Sequence, residues 1–468
     1  IQSQLYNSIT DCPHREKLGW LDVPNEMYNS LVYNYDMENF FKKVVQDCFD
    51  AQYSNGRVPS TVPHFMSVYD DDPNWGGAAI LVPYRNWKTY GDMTTMTKFY
   101  PQMKKLMDYY TSKTVNHIMP GRNYSVLSDW GQETAGVNPM VPGEFTITTT
   151  YYYMLNAMAE IASFLGKDVD AKGFLTQAQN TKKAFNERFY KDGVYEYGQQ
   201  SEFAMPLYYG LVDQENEELV AAKLAERVKK DNYKIKTGEI GLKPLFMSLA
   251  KYGYNDIVYQ MANQTDCPSY GYWVKQGYTT TPEYWDVGAF SQNHCMMDHI
   301  EEWFFSQLGG IRNDGNGFDI VRIEPWIPED MNHLDVTTRS IYGNIRCHYE
   351  RGADDEMNYT FEIPANSQAN IVLPCLNHQS VFENGKDVKS GENGVVSVEY
   401  KDGKAYLKMG SGNYTLQIKK KEATGIQEVN ISRARLNDVY YDLEGRNHGK
   451  VRPSQKGIFI WNRKKVVL

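Results

Sequence analysis

The sequence predicts a multidomain chain of mixed class, a helical domain of the (α/α)6-barrel kind followed by an antiparallel β-sandwich. Three observations carry this. Apolar residues recur at helical spacing up to about residue 314, the pattern changes to strict alternation beyond Gly315, and 468 residues exceed what a single core usually holds. The domains expected are residues 1–314, residues 315–420 and a separate tail, residues 421–468.

In the helical part, Met37, Phe40, Phe41, Val44, Val45, Cys48 and Phe49 fall on one helix face. Tyr151, Leu155, Met158, Ala159, Ala162 and Leu165 repeat the spacing, and Gly166 stands where a C-terminal cap belongs. Further helices are expected around 94–111, 172–190, 215–229, 240–252 and 292–308. Between them run loops rich in Gly, Pro, Asn and aromatics, such as Asp70 to Trp75 and Cys267 to Tyr278. Antiparallel helices with long aromatic loops imply hairpins set round a centre. The (α/α)6 barrel is the common large version, although periodicity does not count the hairpins.

In the second part, Ile345, Cys347 and Tyr349 alternate with polar residues, as do Met357, Tyr359, Phe361 and Ile363. Val396, Val398 and Tyr400 lead into Asp402-Gly403, a hairpin turn, and Tyr414, Leu416 and Ile418 add a strand. Lys419-Lys420-Lys421 opens the tail, which ends in a basic β-like segment from Gly457 to Leu468.

Composition narrows the function. With 41% hydrophobic and 23% charged residues, the chain is not disordered. A net charge of −9 argues against nucleic acid as a partner. No apolar run is long enough to cross a bilayer. The chain opens at Ile1 with neither a Met nor a charged-then-apolar signal, as a mature product or a fragment does. The 6 cysteines form no C-x-x-C pair, so no metal site or cofactor is expected, and most read as buried small hydrophobes. No Gly-rich phosphate loop and no Gly-x-Ser-x-Gly elbow is present.

What remains is acids beside aromatics. Asp11-Cys12-Pro13-His14-Arg15-Glu16-Lys17-Leu18-Gly19-Trp20 is a shaped loop holding two carboxylates beside a tryptophan. Cleaving a glycoside needs a proton-donating carboxylic acid and an aromatic face for the ring. The bland alternative is a surface loop in which Glu16 pairs with Arg15 or Lys17, and composition alone favours it. In Thr279-Thr280-Thr281-Pro282-Glu283-Tyr284-Trp285-Asp286, the flanking aromatics shield Glu283, which could activate water or simply cap or precede a helix starting near Ser291. Ser128-Asp129-Trp130-Gly131 and Pro73-Asn74-Trp75-Gly76-Gly77 are weaker cases, because a loop tryptophan more often packs than serves as a platform. His294 opens an apparent helix running to Trp303, where it either donates to a hydroxyl or is a satisfied core histidine. His294 and His299, five apart, do not share a face as metal ligands would.

Taken in order, these clusters resemble the α-L-rhamnosidases of glycoside hydrolase family 78. Asp11-Cys12-Pro13-x-Arg15-Glu16-x-Leu18-Gly19-Trp20 is similar to the family's most distinctive motif. Thr280 to Asp286 resembles its Thr-Thr-x-Trp-Glu-Arg-Trp-Asp segment, and Asn293-His294 with Glu302-Trp303 its Asn-His…Glu-Trp stretch, followed by Gly309-Gly310-Ile311. Trp75-Gly76 with Ala78-Ala79 and Val82-Pro83, and then Asp129-Trp130, match intermediate motifs. The resemblance covers about residues 1–418. It implies an inverting glycoside hydrolase that removes terminal α-L-rhamnose, with Glu16 as general acid and Glu283 as general base. It also implies that Asp11, Trp20, Trp75, Asp129, Trp130 and His294 bind the sugar. The partner implied is a rhamnosylated glycan or glycoside.

The chain departs from the family at several places. Val23 stands where the family usually has an acid, with Asp22 beside it. Pro282 and Tyr284 replace Trp and Arg around Glu283, and Gly77 replaces a common Asp. The family's N-terminal β-domains are absent. The alternatives are therefore a related (α/α)6 glycosidase for another terminal deoxysugar or uronic-type sugar, and a non-catalytic carbohydrate-binding relative. Thr424 to Leu468 resembles the C-terminal sorting domains of secreted Bacteroidetes proteins, which implies a secreted, periplasmic or cell-surface location. An ordinary β-rich module is the alternative.

Overall fold

The computed structural model describes residues 1–65, 69–121, 126–131, 141–286, 290–353 and 356–420, and then 439–443, 446–449, 453–454, 456–461 and 464–467. These fall into two compact units, Ile1–Lys419 and Lys420–Leu468.

The first unit begins with helices α1 (Asp22–Glu26), α2 (Tyr28–Asn34), α3 (Glu38–Asp50), α4 (Pro73–Gly76), α5 (Ala78–Tyr90) and α6 (Thr94–Lys113). There follow α7 (Gly143–Phe164), α8 (Asp168–Phe189), α9 (Gln200–Tyr209), α10 (Glu217–Lys230), α11 (Glu239–Lys251), α12 (Asn255–Asn263), α13 (Tyr270–Lys275) and α14 (Ile300–Trp303). Helix α3 buries Phe41, Val44, Val45, Cys48 and Phe49, the face its spacing predicts. Helix α7 ends at the predicted cap: Gly166 has φ +68°, and the Lys167 N–H closes back on the Ala162 carbonyl at 2.8 Å.

The structure differs from the sequence reading in three stretches, the first being Pro73–Gly76, where the short α4 begins within the expected Asp70 to Trp75 loop. Within Cys267 to Tyr278, expected as loop, α13 forms because the Ser269 hydroxyl caps it by accepting from the Tyr272 N–H at 3.1 Å. The helix expected over 292–308 is instead broken into a 3-10 turn (Cys295–Met297), the short α14, and a π-helical turn (Phe304–Leu308). His294 is in extended backbone, since its N–H is spent on the Thr281 carbonyl at 2.7 Å.

Strands beyond the helices form two sheets around a second core that includes Ile345, Cys347, Tyr359, Phe361, Ile371 and Leu416. One sheet runs, neighbour to neighbour, through Lys386–Asp387, Gln379–Glu383, Gly412–Lys420, Met357–Ile363, Gly343–Arg351 and His333–Ser340. The other runs through Val395–Lys401, Lys404–Met409, Gln368–Pro374, Ile320–Ile323 and Ile311–Asn313. Its turn is at Asp402-Gly403, as the sequence predicts, with φ of +51° and +72°. The pairing of Ile320–Ile323 with Gln368–Pro374 departs from the antiparallel expectation, because these two strands run parallel.

The described part of the second unit is a three-stranded sheet of Tyr440–Asp442, Ile458–Trp461 and Lys464–Val467, with Phe459 buried. Much of the stretch that resembles a sorting domain, including 421–438, lies outside the described residues. No helix among the described residues is long and apolar enough to cross a membrane.

Candidate active site

The loop that carries Glu16 is pinned by its own backbone. The Glu16 N–H donates to the Cys12 Sγ at 3.2 Å and the Lys17 N–H to the Cys12 carbonyl at 3.0 Å. Gly19 is obligatory, since a Cβ there would meet the Val62 carbonyl oxygen at 2.1 Å. Val62 N–H bonds the Gly19 carbonyl at 2.8 Å, and Leu21 N–H bonds Ser60 at 3.0 Å, which aligns Trp20 against Thr61. Glu16 is exposed and accepts from the Trp20 indole N–H at 2.9 Å. Arg15 lies over the Phe290 ring at 4.4 Å.

Two antiparallel strips hold Glu283. Its N–H bonds the Ser291 carbonyl at 3.0 Å, while the Thr281 hydroxyl and carbonyl engage the His294 backbone at 3.1 and 2.7 Å. That pairing replaces the helix cap considered for Glu283 and sets His294 beside it. The Trp130 indole N–H donates to Glu283 Oε1 at 3.2 Å. Burial raises the Glu283 pKa above the usual carboxylate range and the charge of Glu16 adds to this, while the Trp130 donor opposes both.

Asp72, with no exposed surface, ties two more walls together. It caps α4 by accepting from the Asn74 N–H at 2.9 Å, and its other oxygen accepts from the Leu127 and Ser128 N–H groups at 2.9 and 3.1 Å. Trp75 and Trp130 are thereby fixed relative to one another. Trp75 is 1% exposed and belongs to the core as much as to the cavity.

These elements enclose a cavity of about 490 Å³ lined by Asp11, Glu16, Trp20, Trp75, Trp130, Glu283 and His294, together with Asp22, Glu239, Phe65, Tyr69, Leu18 and Leu127. Of the residues expected from sequence, Asp129 alone is not in its wall. Its carboxylate is turned away, accepting from the Ser201 hydroxyl at 2.6 Å and from the Gly238 and Gly241 N–H groups at 3.0 and 2.7 Å. Gly238 must be glycine, as a Cβ would strike the Trp130 carbonyl at 2.2 Å. Asp129 is thus a tether for the start of α11.

Asp22 and Glu239 enter the cavity without a role assigned from sequence. Asp22 follows from its place beside Val23, which is itself fully buried. Nothing in Gly238-Glu239-Ile240 announces Glu239, which gets there because its N–H reaches the Trp130 carbonyl at 2.7 Å. Burial, with Glu16's charge second, pushes Asp11 up to about 7. Asp22 and Glu239 are raised well above the usual range by burial and by neighbouring acids. Burial lowers His294 to about 4, so its 3.8 Å contact with Asp11 joins a neutral ring to the carboxyl at neutral pH.

Asp11, Cys12 and Glu16 are close enough to be considered as metal ligands, within 4.8 Å of one another. Burial and the charge of Asp11 push the Cys12 thiol up to about 11, and a protonated thiol ligates poorly.

Below the cavity, α1 is buried along its whole length. One turn on from Asp22, Glu26 accepts from Asn25 at 2.8 Å, Arg85 bonds Asn25, and Lys243 lies 3.5 Å from Glu302. Among these buried groups, Lys243 and Glu302 form an ion pair.

Comparison with known proteins agrees with this architecture. Residues 1–308 match the model of the bacterial alpha-L-rhamnosidase 6 hairpin glycosidase domain, and residues 310–387 that of the bacterial alpha-L-rhamnosidase C-terminal domain. An alpha-L-rhamnosidase of Formosa agariphila is 28% identical over 452 residues, 90% of this chain and 46% of that protein. One of Streptomyces avermitilis is 25% identical over 422 residues, 87% of this chain and 39% of that protein. The chain therefore spans less than half the length of these relatives. Among solved structures, the alpha-L-rhamnosidase from Dictyoglumus thermophilum superposes with a TM-score of 0.82 at 27% identity, covering 89% of this chain and 48% of that one. The Streptomyces avermitilis enzyme complexed with L-rhamnose has the same fold, with a TM-score of 0.80 at 23% identity, covering 89% of this chain and 40% of that one. By the match of its first 308 residues, the chain belongs to the bacterial α-L-rhamnosidase family of six-hairpin glycosidases.

Proposed function

We propose that this chain removes a terminal α-L-rhamnose from a glycan or glycoside by single displacement with inversion. The observation that carries the reading is that Glu16 and Glu283, far apart in sequence, line one cavity, each accepting from its own tryptophan N–H. Glu16, exposed at the mouth, protonates the departing glycosidic oxygen. Glu283, shielded by Tyr284 and Trp130, takes a proton from the water that attacks the anomeric carbon from the opposite face. The Trp130 donor favours the charged form that a base requires. Asp11, Trp20, Trp75, Trp130 and His294 hold the sugar, while Asp129 acts behind them through α11.

A second reading, another terminal deoxysugar, is favoured by one observation. The family's acid is replaced by Val23, which is buried away from the cavity, and Asp22 lines the floor in its stead. A panel of nitrophenyl glycosides separates the two readings. Proton NMR of the first sugar released tests inversion, and a product with the anomeric configuration retained refutes the assignment of Glu283 as base. The resemblance of the tail to sorting domains supports a location outside the cytoplasm, which fractionation of the producing cell tests.

A further inference from the structure

Five carboxyl groups line the cavity (Asp11, Glu16, Asp22, Glu239 and Glu283), and among the described residues no lysine or arginine lines it. The one basic side chain among the described lining residues, His294, is uncharged at neutral pH. Acids crowded together without a cation cannot all ionise, so some of them keep their protons.

Glu239 is the best placed to do so. It is 2% exposed, and its backbone is fixed at both ends, the N–H on Trp130 and the carbonyl on the His299 ring at 3.0 Å. Its Oε2 is buried with no hydrogen-bond partner, as are Asp22 Oδ1 and His294 Nδ1, all on residues that line the cavity. Asp129 next to it is the opposite case, with three donors on its oxygens. The groups acting on Glu239 are Asp22 from α1, and Asp11, Asp129 and Glu283 from the loops. Lys243, one turn along the same helix, faces Glu302 instead. The first turn of α11 favours a negative charge on Glu239, but burial and four surrounding acids outweigh it.

We infer that Glu239 is a specificity-determining residue of the sugar pocket, an uncharged carboxylic acid that donates a hydrogen bond to a ring hydroxyl in a floor that rejects sugars bearing a carboxylate. This rests on the reading of the cavity as a glycosidase's sugar site. A neutral deoxysugar supplies the hydroxyl partners that the unpaired oxygens lack. A uronate would bring a further buried anion to a place where no described lining residue is a cation.

The test compares Glu239→Gln, Glu239→Leu and Glu239→Asp in the full chain, by titration with free L-rhamnose and by kinetics on a nitrophenyl α-L-rhamnoside. Gln keeps the shape and a neutral donor, so affinity and kcat/KM should stay within about fivefold of wild type. Leu removes the donor and Asp withdraws it by one methylene. Each should weaken binding by roughly 10–100-fold, mainly in KM, and Asp keeps the comparison open if the Leu variant does not fold. Glu239→Gln falling as far as Glu239→Leu or Glu239→Asp overturns the inference, because it makes Glu239 an ionised acceptor. So does a wild-type chain that binds a free hexuronate as tightly as L-rhamnose. A chain that binds L-rhamnose without cleaving the rhamnoside refutes the hydrolase reading and leaves the pocket assignment standing.

Discussion

Asp72 offers the most demanding check, because it joins two walls of the cavity through three backbone donors. Replacing it with Leu, of similar size, leaves the N–H groups of Asn74, Leu127 and Ser128 buried without an acceptor. At about 1–3 kcal/mol for each unsatisfied buried donor, and with some relaxation, Asp72→Leu should cost ~3–6 kcal/mol. Asp72→Asn keeps one oxygen and should cost about half as much. Burial raises the Asp72 carboxyl from 3.8 to about 7, against the hydrogen bonds that favour its charge. A carboxyl raised on folding adds stability below its unfolded pKa and loses it as pH climbs through the folded one. The cost of Asp72→Asn, which does not titrate, should therefore be largest at the acidic end and shrink as pH rises from 3.8 to about 7. Urea unfolding of the three proteins across that range reads all of this. The reasoning fails if Asp72→Leu costs less than ~1 kcal/mol, or if the cost of Asp72→Asn grows with pH.

Three further outcomes follow from the site. Glu16→Gln should lower turnover of poor leaving groups by roughly 10²–10⁴-fold and spare activated aryl leaving groups, and equal small losses on both would count against Glu16 as the acid. Trp75→Ala should cost about 3–5 kcal/mol by denaturant unfolding, whereas Trp20→Ala, at a half-buried site, should mainly raise KM. Trp130→Phe removes the donor that favours ionised Glu283, so the acidic limb of the kcat/KM profile should move to higher pH. An unmoved limb would separate Trp130 from the base.

The face of α3, the cap at Gly166 and the Asp402-Gly403 hairpin were legible because each depends on neighbours a few residues away. The segment after Asn293 was not. Its apolar spacing is helical, but the His294 N–H is claimed by Thr281, a tertiary contact that local pattern does not encode. The parallel pairing of Ile320–Ile323 with Gln368–Pro374 is non-local in the same way. At the site, Glu16 and Glu283 stand in dense local motifs, which makes them conspicuous before their meeting place is known. Asp129 stands in such a motif as well, yet its oxygens serve α11. Glu239, outside any motif, is carried into the cavity by the Trp130 carbonyl. A motif marks the chain segment that matters, while the direction a side chain takes is decided by partners elsewhere.

Asp22, on the wholly buried α1, and Glu239, at the start of α11, line the cavity with only 2% of their surface exposed, while Glu16 in the same wall is exposed, so among the described lining residues the cavity runs from a closed-in end to an open side at Glu16. Traffic through a cavity open on that side alone is first in, last out. On the function proposed above, a substrate would enter tip first with its remaining chain trailing in solvent on the Glu16 side, which favours cleavage at a chain end over cleavage within a polymer. After bond breakage the trailing portion would leave first and the freed monosaccharide follow by the route it came. The monosaccharide should then compete with incoming substrate for the same bottom position, and its accumulation should slow the reaction in strictly competitive fashion.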